Sequence, residues 1–79
     1  MAIKTRTIET ARFHAVANDG EIFTIVEQTE QDGIDPLGSR ETQWRNGRRE
    51  YLAVGAGAVN KLSESEFEIV SQGKVVKRA

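Results

Sequence analysis

Along most of this chain apolar and polar residues alternate in short runs, and turn-forming residues interrupt them every few positions. Period-two alternation between turn signals is the pattern of half-buried strands. Phe13 to Ala17 and Glu21 to Thr29 flank Asn18-Asp19-Gly20. Read as a hairpin with a three-residue loop, this puts Gly20 in the left-handed backbone region, where it fits without steric cost. That register sets Ala17 against Glu21 and Ala15 against Phe23, so Phe13, Ala15, Phe23 and Ile25 share a face. The opposite face carries His14, Val16, Ile22, Thr24 and Val26, which is more apolar than a solvent face requires. A two-residue loop flips one strand and mixes the faces.

Residues 30–41 hold the only proline and no periodicity, and they read as a mobile loop. Asn46-Gly47 is a tight-turn signal of the primed type. A two-residue hairpin there sets Arg45 against Arg48 and Trp44 against Arg49, the latter a cation–π contact worth ~0.5–1 kcal/mol. From Arg49 onward the pattern predicts a meander with turns at Gly55-Ala56-Gly57, Ser63-Glu64-Ser65 and Ser71-Gln72-Gly73. Pairing Leu62 with Phe67 places Lys61 opposite Glu68, and pairing Val70 with Val75 places Glu68 opposite Lys77. Ile8, Ala11, Arg12 and Ala15 also have helical spacing that Thr7 would cap, but Phe13 to Ala17 pairs well with the strand after Gly20. Residues 1–10 carry no strong pattern and read as a candidate disordered segment.

These elements predict an all-β fold: an antiparallel meander of five to seven short strands, forming a small barrel or a strongly bent sheet. Residues 1–79 read as a single domain, with no composition shift or repeat to divide them. The C-terminal half resembles a group of short, uncharacterised bacterial all-β proteins. The resemblance rests on Glu50-Tyr51, Val59-Asn60-x-Leu62, Phe67-Glu68-Ile69-Val70 and Gly73. It covers about thirty residues well and the Asp19-Gly20 hairpin loosely. Members tend to carry an Asp-Gly turn where this chain has Gly55-Ala56-Gly57. The resemblance implies strands and turns, and no activity.

Composition adds a constraint on stability. Leu, Ile, Val and Phe together number 19 of the 79 residues, enough for a thin core. A domain this small buries only ~60–65% of the surface its unfolded chain exposes. Small scaffolds usually compensate with disulfides, a metal or oligomerisation. With no cysteine and one histidine, self-association is the route left open. No signal-peptide pattern, membrane-length apolar run or Asn-x-Ser/Thr site occurs, and a cytoplasmic location is the default expectation.

The net charge of −1 argues against a general polyanion binder, but the charges are segregated. Six acids and no Lys or Arg lie between Phe13 and Ser39, whereas Arg40 to Arg49 holds four arginines against Glu41. Nothing in the chain predicts a cofactor or a metal site. His14 has apolar neighbours and reads as a partly buried strand histidine, or else as the centre of a small enzyme that would need a cleft and a partner. Glu64, Glu66 and Glu68 alternate and read as a solvated strand face. Gly55-Ala56-Gly57 lacks the spacing of a nucleotide-binding loop, so no enzyme is expected.

The candidate binding residues are Trp44, Arg45, Arg48, Arg49 and Tyr51. Arginines with aromatics suit a protein interface, and they also suit phosphates and stacked bases. The cluster also has a plain reading as a solvated surface around a structural tryptophan. The function expected is a non-enzymatic interaction module with a protein partner or a second copy of itself. Nucleic-acid binding through the Trp/Arg segment is the alternative. No membrane association is expected.

Overall fold

A computed structural model describes residues 3–38 and 40–79. The described residues contain strands and turns and no helix. The strands are β1 (Ile3–Ala17), β2 (Ile22–Ile34), β3 (Gln43–Ala53), β4 (Gly57–Lys61), β5 (Glu66–Ile69) and β6 (Lys74–Arg78). Each pairs antiparallel with the next, and β6 returns to β1 through Ala17↔Val76, Val16↔Lys77 and Ala15↔Arg78, closing a six-stranded barrel. Closure removes sheet edges from the part of the chain that has a core.

The barrel is narrow, and its interior alternates small and large side chains. Ala15, Ala17 and Ala53 leave room for Phe23, Ile25, Phe67, Ile69, Val59 and Val76, all buried. Phe67 lies at the centre, its ring 5.2 Å from that of Phe13 and 5.4 Å from that of Tyr51. The first hairpin has the three-residue loop that Gly20 permits, with φ of 88°. The Gly20 amide donates to the Ala17 carbonyl and the Ala17 amide to the Glu21 carbonyl, both at 2.9 Å. Ala15 meets Phe23 and Phe13 meets Ile25, as the alternation requires. On the outer face Val16 and Ile22 are exposed, Val26 is buried, and His14 is exposed rather than partly buried.

β1, β2 and β3 outrun the barrel. Their far halves, Ile3 to Glu9, Gln28 to Ile34 and Gln43 to Arg49, form a three-stranded arm. The molecule therefore measures 56 × 21 × 20 Å. Two irregularities mark where the arm begins. Thr10 is an extra residue in β1 between Glu9 and Ala11, and β3 carries an extra residue opposite Glu30, between Asn46 and Arg49. Bulges of this kind bend a strand and increase its twist.

The arm corrects several expectations. Ile3 to Thr10 belong to β1 rather than to a disordered segment or a helix, while Met1 and Ala2 lie outside the described residues. The expected loop over 30–41 is strand as far as Ile34, and the connection is 35–42, of which Ser39 lies outside the described residues. The covered positions of β2 in the arm are Thr29, Gln31 and Gly33, polar residues and a glycine, so the segment lacks the apolar alternation that marks a half-buried strand. Asn46-Gly47 is no hairpin turn. It lies inside β3 at the bulge, Gly47 is not among the positive-φ glycines, and Gln31 Nε2 donates to Asn46 Oδ1 at 2.7 Å.

Two C-terminal registers also differ from expectation. β4 and β5 pair as Val59↔Ile69, Asn60↔Glu68 and Lys61↔Phe67, one residue away from the charge-matched register. β5 and β6 pair as Glu68↔Val75 and Glu66↔Lys77, two residues away. Burying Val59, Phe67, Ile69 and Val76 together outweighs an exposed cross-strand ion pair, which is worth only ~0.2–1 kcal/mol.

Candidate functional site

Register shows how the arm continues the barrel wall. Residues of β2 that point inward in the barrel, Phe23, Ile25 and Glu27, share their face with Thr29, Gln31 and Gly33 of the arm. The inner face of the arm is thus an open extension of the barrel interior. It carries Ile8 and Arg6 from β1 and Asn46 and Trp44 from β3.

At the mouth, where barrel becomes arm, a polar chain replaces the apolar core. Thr29, buried to 1%, lies 2.9 Å from Thr10 Oγ1. Thr10 donates to Glu27 Oε1 at 2.7 Å, and the Tyr51 hydroxyl donates to Glu27 Oε2 at 2.8 Å. These bonds to Thr10 and Tyr51 hold the Glu27 carboxylate below its ordinary pKa, and the positive fields of Arg49 and Lys61 add to the effect. Burial, and then the bond to Glu27, push the Tyr51 hydroxyl above its ordinary value. Among the described residues no buried side-chain nitrogen or oxygen lacks a partner, so the mouth is a satisfied structural network.

β3 and β4 part company beside this network. They pair only at Tyr51↔Val59, Leu52↔Ala58 and Ala53↔Gly57. Beyond Tyr51, Asn60 and Lys61 follow β5, while Glu50, Arg49 and Arg48 follow β2. A cleft of about 400 Å³ opens between them, lined by Arg48, Arg49, Glu50, Tyr51, Asn60 and Lys61, with Leu52 and Val59 among its apolar residues. Arg48 reaches Glu50 at 3.4 Å, and Lys61 reaches the fully solvated Glu64 at 3.5 Å. Arg49 makes no ion pair among the described residues. The cleft is cationic and partly apolar, and one wall of it is the unpaired edge of β3.

The structure thus gathers Arg48, Arg49 and Tyr51 of the predicted binding set into this cleft, and leaves Trp44 and Arg45 outside it. Trp44 lies on the arm opposite Gly33 and Arg45 lies opposite Asp32. The expected Trp44–Arg49 stack does not form, because no hairpin places those residues together. Arg6 takes that role instead, its guanidinium carbon 3.7 Å from the indole centroid, and its Nε donates to Gln31 Oε1 at 2.8 Å. Trp44 is half-buried and lies outside the core cluster. Lys61 and Glu27 were missed by sequence reasoning. The charge-matched register sets Lys61 against Glu68, whereas it lies opposite Phe67, and nothing in the sequence pattern places Glu27 opposite Tyr51.

A second depression at the closed end of the barrel holds Ala17, Asp19, Gly73 and Lys74. Lys74 is already engaged there, 3.0 Å from Asp19 and 3.1 Å from Glu21. His14 stands exposed opposite Thr24 and does not line either depression. Among the described residues no group of three His, Cys, Asp or Glu side chains is placed to hold a metal, and no helix is long and apolar enough to cross a membrane. No family model matches this chain, no curated protein is similar to it, and no solved structure matches it.

Proposed function

We propose that this protein is a non-enzymatic, cytoplasmic binding module that holds an extended segment of a partner protein along the free edge of β3. One observation carries the reading. From Gln43 to Glu50, β3 is flanked by β2 on one side and by no described strand on the other, and this edge runs directly into the β3–β4 cleft. An open edge offers a row of backbone donors and acceptors on which an added strand can be built, while adjoining pockets take alternate side chains. Eight residues at ~3.3 Å each make an edge of about 26 Å, enough for a short recognition segment. Nucleic-acid binding has less support, since Arg6 already covers one face of the indole that would stack on a base.

The test is selection of peptides from a random heptapeptide display library, followed by NMR titration of the best binders. Shifts confined to Gln43–Glu50, Tyr51 and Asn60–Lys61 are expected. A selection yielding no binder, or shifts that map elsewhere, would overturn the proposal.

Self-association is a second reading with its own observation. Val16 and Ile22 face each other across the first hairpin, 36% and 65% exposed, on the outside of the barrel. Paired apolar residues left in water favour a dimer that covers them. Sedimentation at tens of micromolar should show mass action between monomer and dimer, and Ile22→Lys should abolish it. A clean monomer would remove this reading.

A further inference from the structure

We infer that the segment received by the β3 edge is acidic, with carboxylates recognised by Arg49 and Lys61 at the cleft and by Arg45 and Arg48 along the edge. The inference rests on the binding function proposed above and adds the chemistry of the ligand.

Two strands of the arm have open edges, and their charges are in different states. On β1, which is free from Ile3 to Phe13 on the side away from β2, every cation is engaged. Lys4 is 2.9 Å from Asp35, Arg12 is 2.6 Å from Glu9, and Arg6 stacks on Trp44. On β3 the free edge carries Arg45, Arg48 and Arg49 against Glu50. Arg45 and Arg49 form no ion pair among the described residues, and the Arg48–Glu50 contact is long and exposed, at 3.4 Å. Lys61 brings a further cation to the same cleft from the opposite wall. Acids stand beside this set too, since Arg45 is opposite Asp32 and the fields of Arg49 and Lys61 act on Glu27. What distinguishes it is how loosely its cations are held: the ion pairs of Arg48 and Lys61 are 3.4 and 3.5 Å long, against 2.9 and 2.6 Å for those of Lys4 and Arg12 on β1.

The geometry selects an extended acidic strand over other anions. Arg45 opposes Asp32 on the outer face of the arm, whereas Arg49 opposes Thr29 on the inner face. The cations are therefore spread along a strand and across both of its faces, which suits a ligand that alternates its side chains from face to face. A compact anion could reach only part of the set. Like charge also prevents two β3 edges from pairing with each other, since arginine would face arginine. The edge is closed to its own copy and open to a strand of opposite charge.

The experiment uses the full chain and three fluorescein-labelled heptapeptides in which adjacent pairs of Glu, of Gln or of Lys, one side chain for each face of the added strand, are separated by single Val residues. Anisotropy should show the Glu peptide binding about tenfold or more tightly than the Gln peptide, and the Lys peptide weakest, as two or more favourable cross-strand charge pairs imply. Binding should weaken with added salt. It should fall toward the level of the Gln peptide in Arg49→Gln/Lys61→Gln, but not in Arg12→Gln on the other edge. Amide exchange should slow along Gln43–Glu50 in the complex. Equal affinity for all three peptides would overturn the acidic preference while leaving strand capture standing. Library binders without acidic residues would do the same. If no peptide binds and the library also fails, both readings fall. Tighter binding of an oligothymidylate than of the Glu peptide would overturn the inference in favour of nucleic acid.

Discussion

Gly33→Ala is a small change that should be felt chiefly by two neighbouring side chains, Trp44 and Thr42. Gly33 and Trp44 are opposite each other on the inner face of the arm. A Cβ added at Gly33 would stand 2.7 Å from Trp44 Cζ3, 2.8 Å from Cε3 and 2.7 Å from Thr42 Cγ2. Carbon atoms pack at ~3.5–4.0 Å, so the indole and Thr42 must retreat by about an ångström. Displacing the indole forfeits the Arg6 stack, worth ~0.5–1 kcal/mol at an exposed site. Holding it off its preferred rotamer costs a further ~0.5–1.5 kcal/mol. Alanine returns ~0.5–1 kcal/mol through its lower conformational entropy in a strand, and the backbone at Gly33 does not need a positive φ. The net destabilisation is therefore only ~0–2 kcal/mol, well inside what a small domain tolerates. Trp44 is the only tryptophan in the chain, so its emission reports this site alone. The variant should keep its far-UV circular dichroism while its emission shifts to the red and acrylamide quenching increases. Arg6→Gln should raise quenching to a smaller degree, because the indole keeps its seat over Gly33. Emission and quenching indistinguishable from the parent protein would refute the account of how Trp44 is held.

The barrel was legible in the sequence because its strands have one face in a core. Phe13, Ala15, Phe23 and Ile25 had to share a side, and a one-residue slip would have turned all of them out into water. Turn chemistry at Asn18-Asp19-Gly20 fixed the same answer independently. The β4–β5 register was misread because charge matching between Lys61 and Glu68 was given weight that belongs to burial. Lys61 lies opposite Phe67 instead, and its ammonium reaches the mouth 5.8 Å from the Tyr51 ring. That single shift is what makes Lys61 part of the cleft.

The arm was illegible for the opposite reason. The covered face of β2 in the arm carries Thr29, Gln31 and Gly33 in place of apolar residues, so Glu30-Gln31-Asp32 has no apolar period and reads as loop. The usable signal was intrinsic preference: Thr5, Thr7, Ile8 and Thr10 are β-branched residues at close intervals. Of the candidate site, the residue types were legible and their grouping was not. A turn at Asn46-Gly47 would make Trp44 and Arg49 neighbours, and the extended strand carries them apart instead.

Three further expectations follow from this packing. Phe67→Ala removes the centre of the core and two ring contacts, and should cost ~3–5 kcal/mol out of the ~4–12 kcal/mol that a domain of this length has available. A urea midpoint within experimental error of the parent would show that the barrel is not held as described. Stability should plateau between about pH 5 and 10. Glu27, Asp19 and Asp35 are held below their ordinary values by hydrogen bonds, so their contribution is present above the carboxylate range and is lost as pH falls through it. Lys74, raised by Asp19 and Glu21, and Tyr51, raised by burial, contribute fully below their ordinary values, and that contribution is lost as pH rises past them. A urea midpoint that rises between pH 5 and 3 would contradict the acid limb. Gly47→Ala separates the two meanings of Asn46-Gly47. In a primed turn Gly47 would need a positive φ, and alanine there would strain the backbone and destabilise the domain. At the β3 bulge Gly47 has no positive φ, and an added Cβ would meet only the Glu30 carbonyl oxygen at 3.5 Å, an ordinary contact. Alanine then narrows the unfolded ensemble without cost to the folded state, and the variant should be stabilised by up to ~1 kcal/mol. A lowered melting temperature would return Asn46-Gly47 to a turn, and with it the arm and the free edge of β3 would be lost.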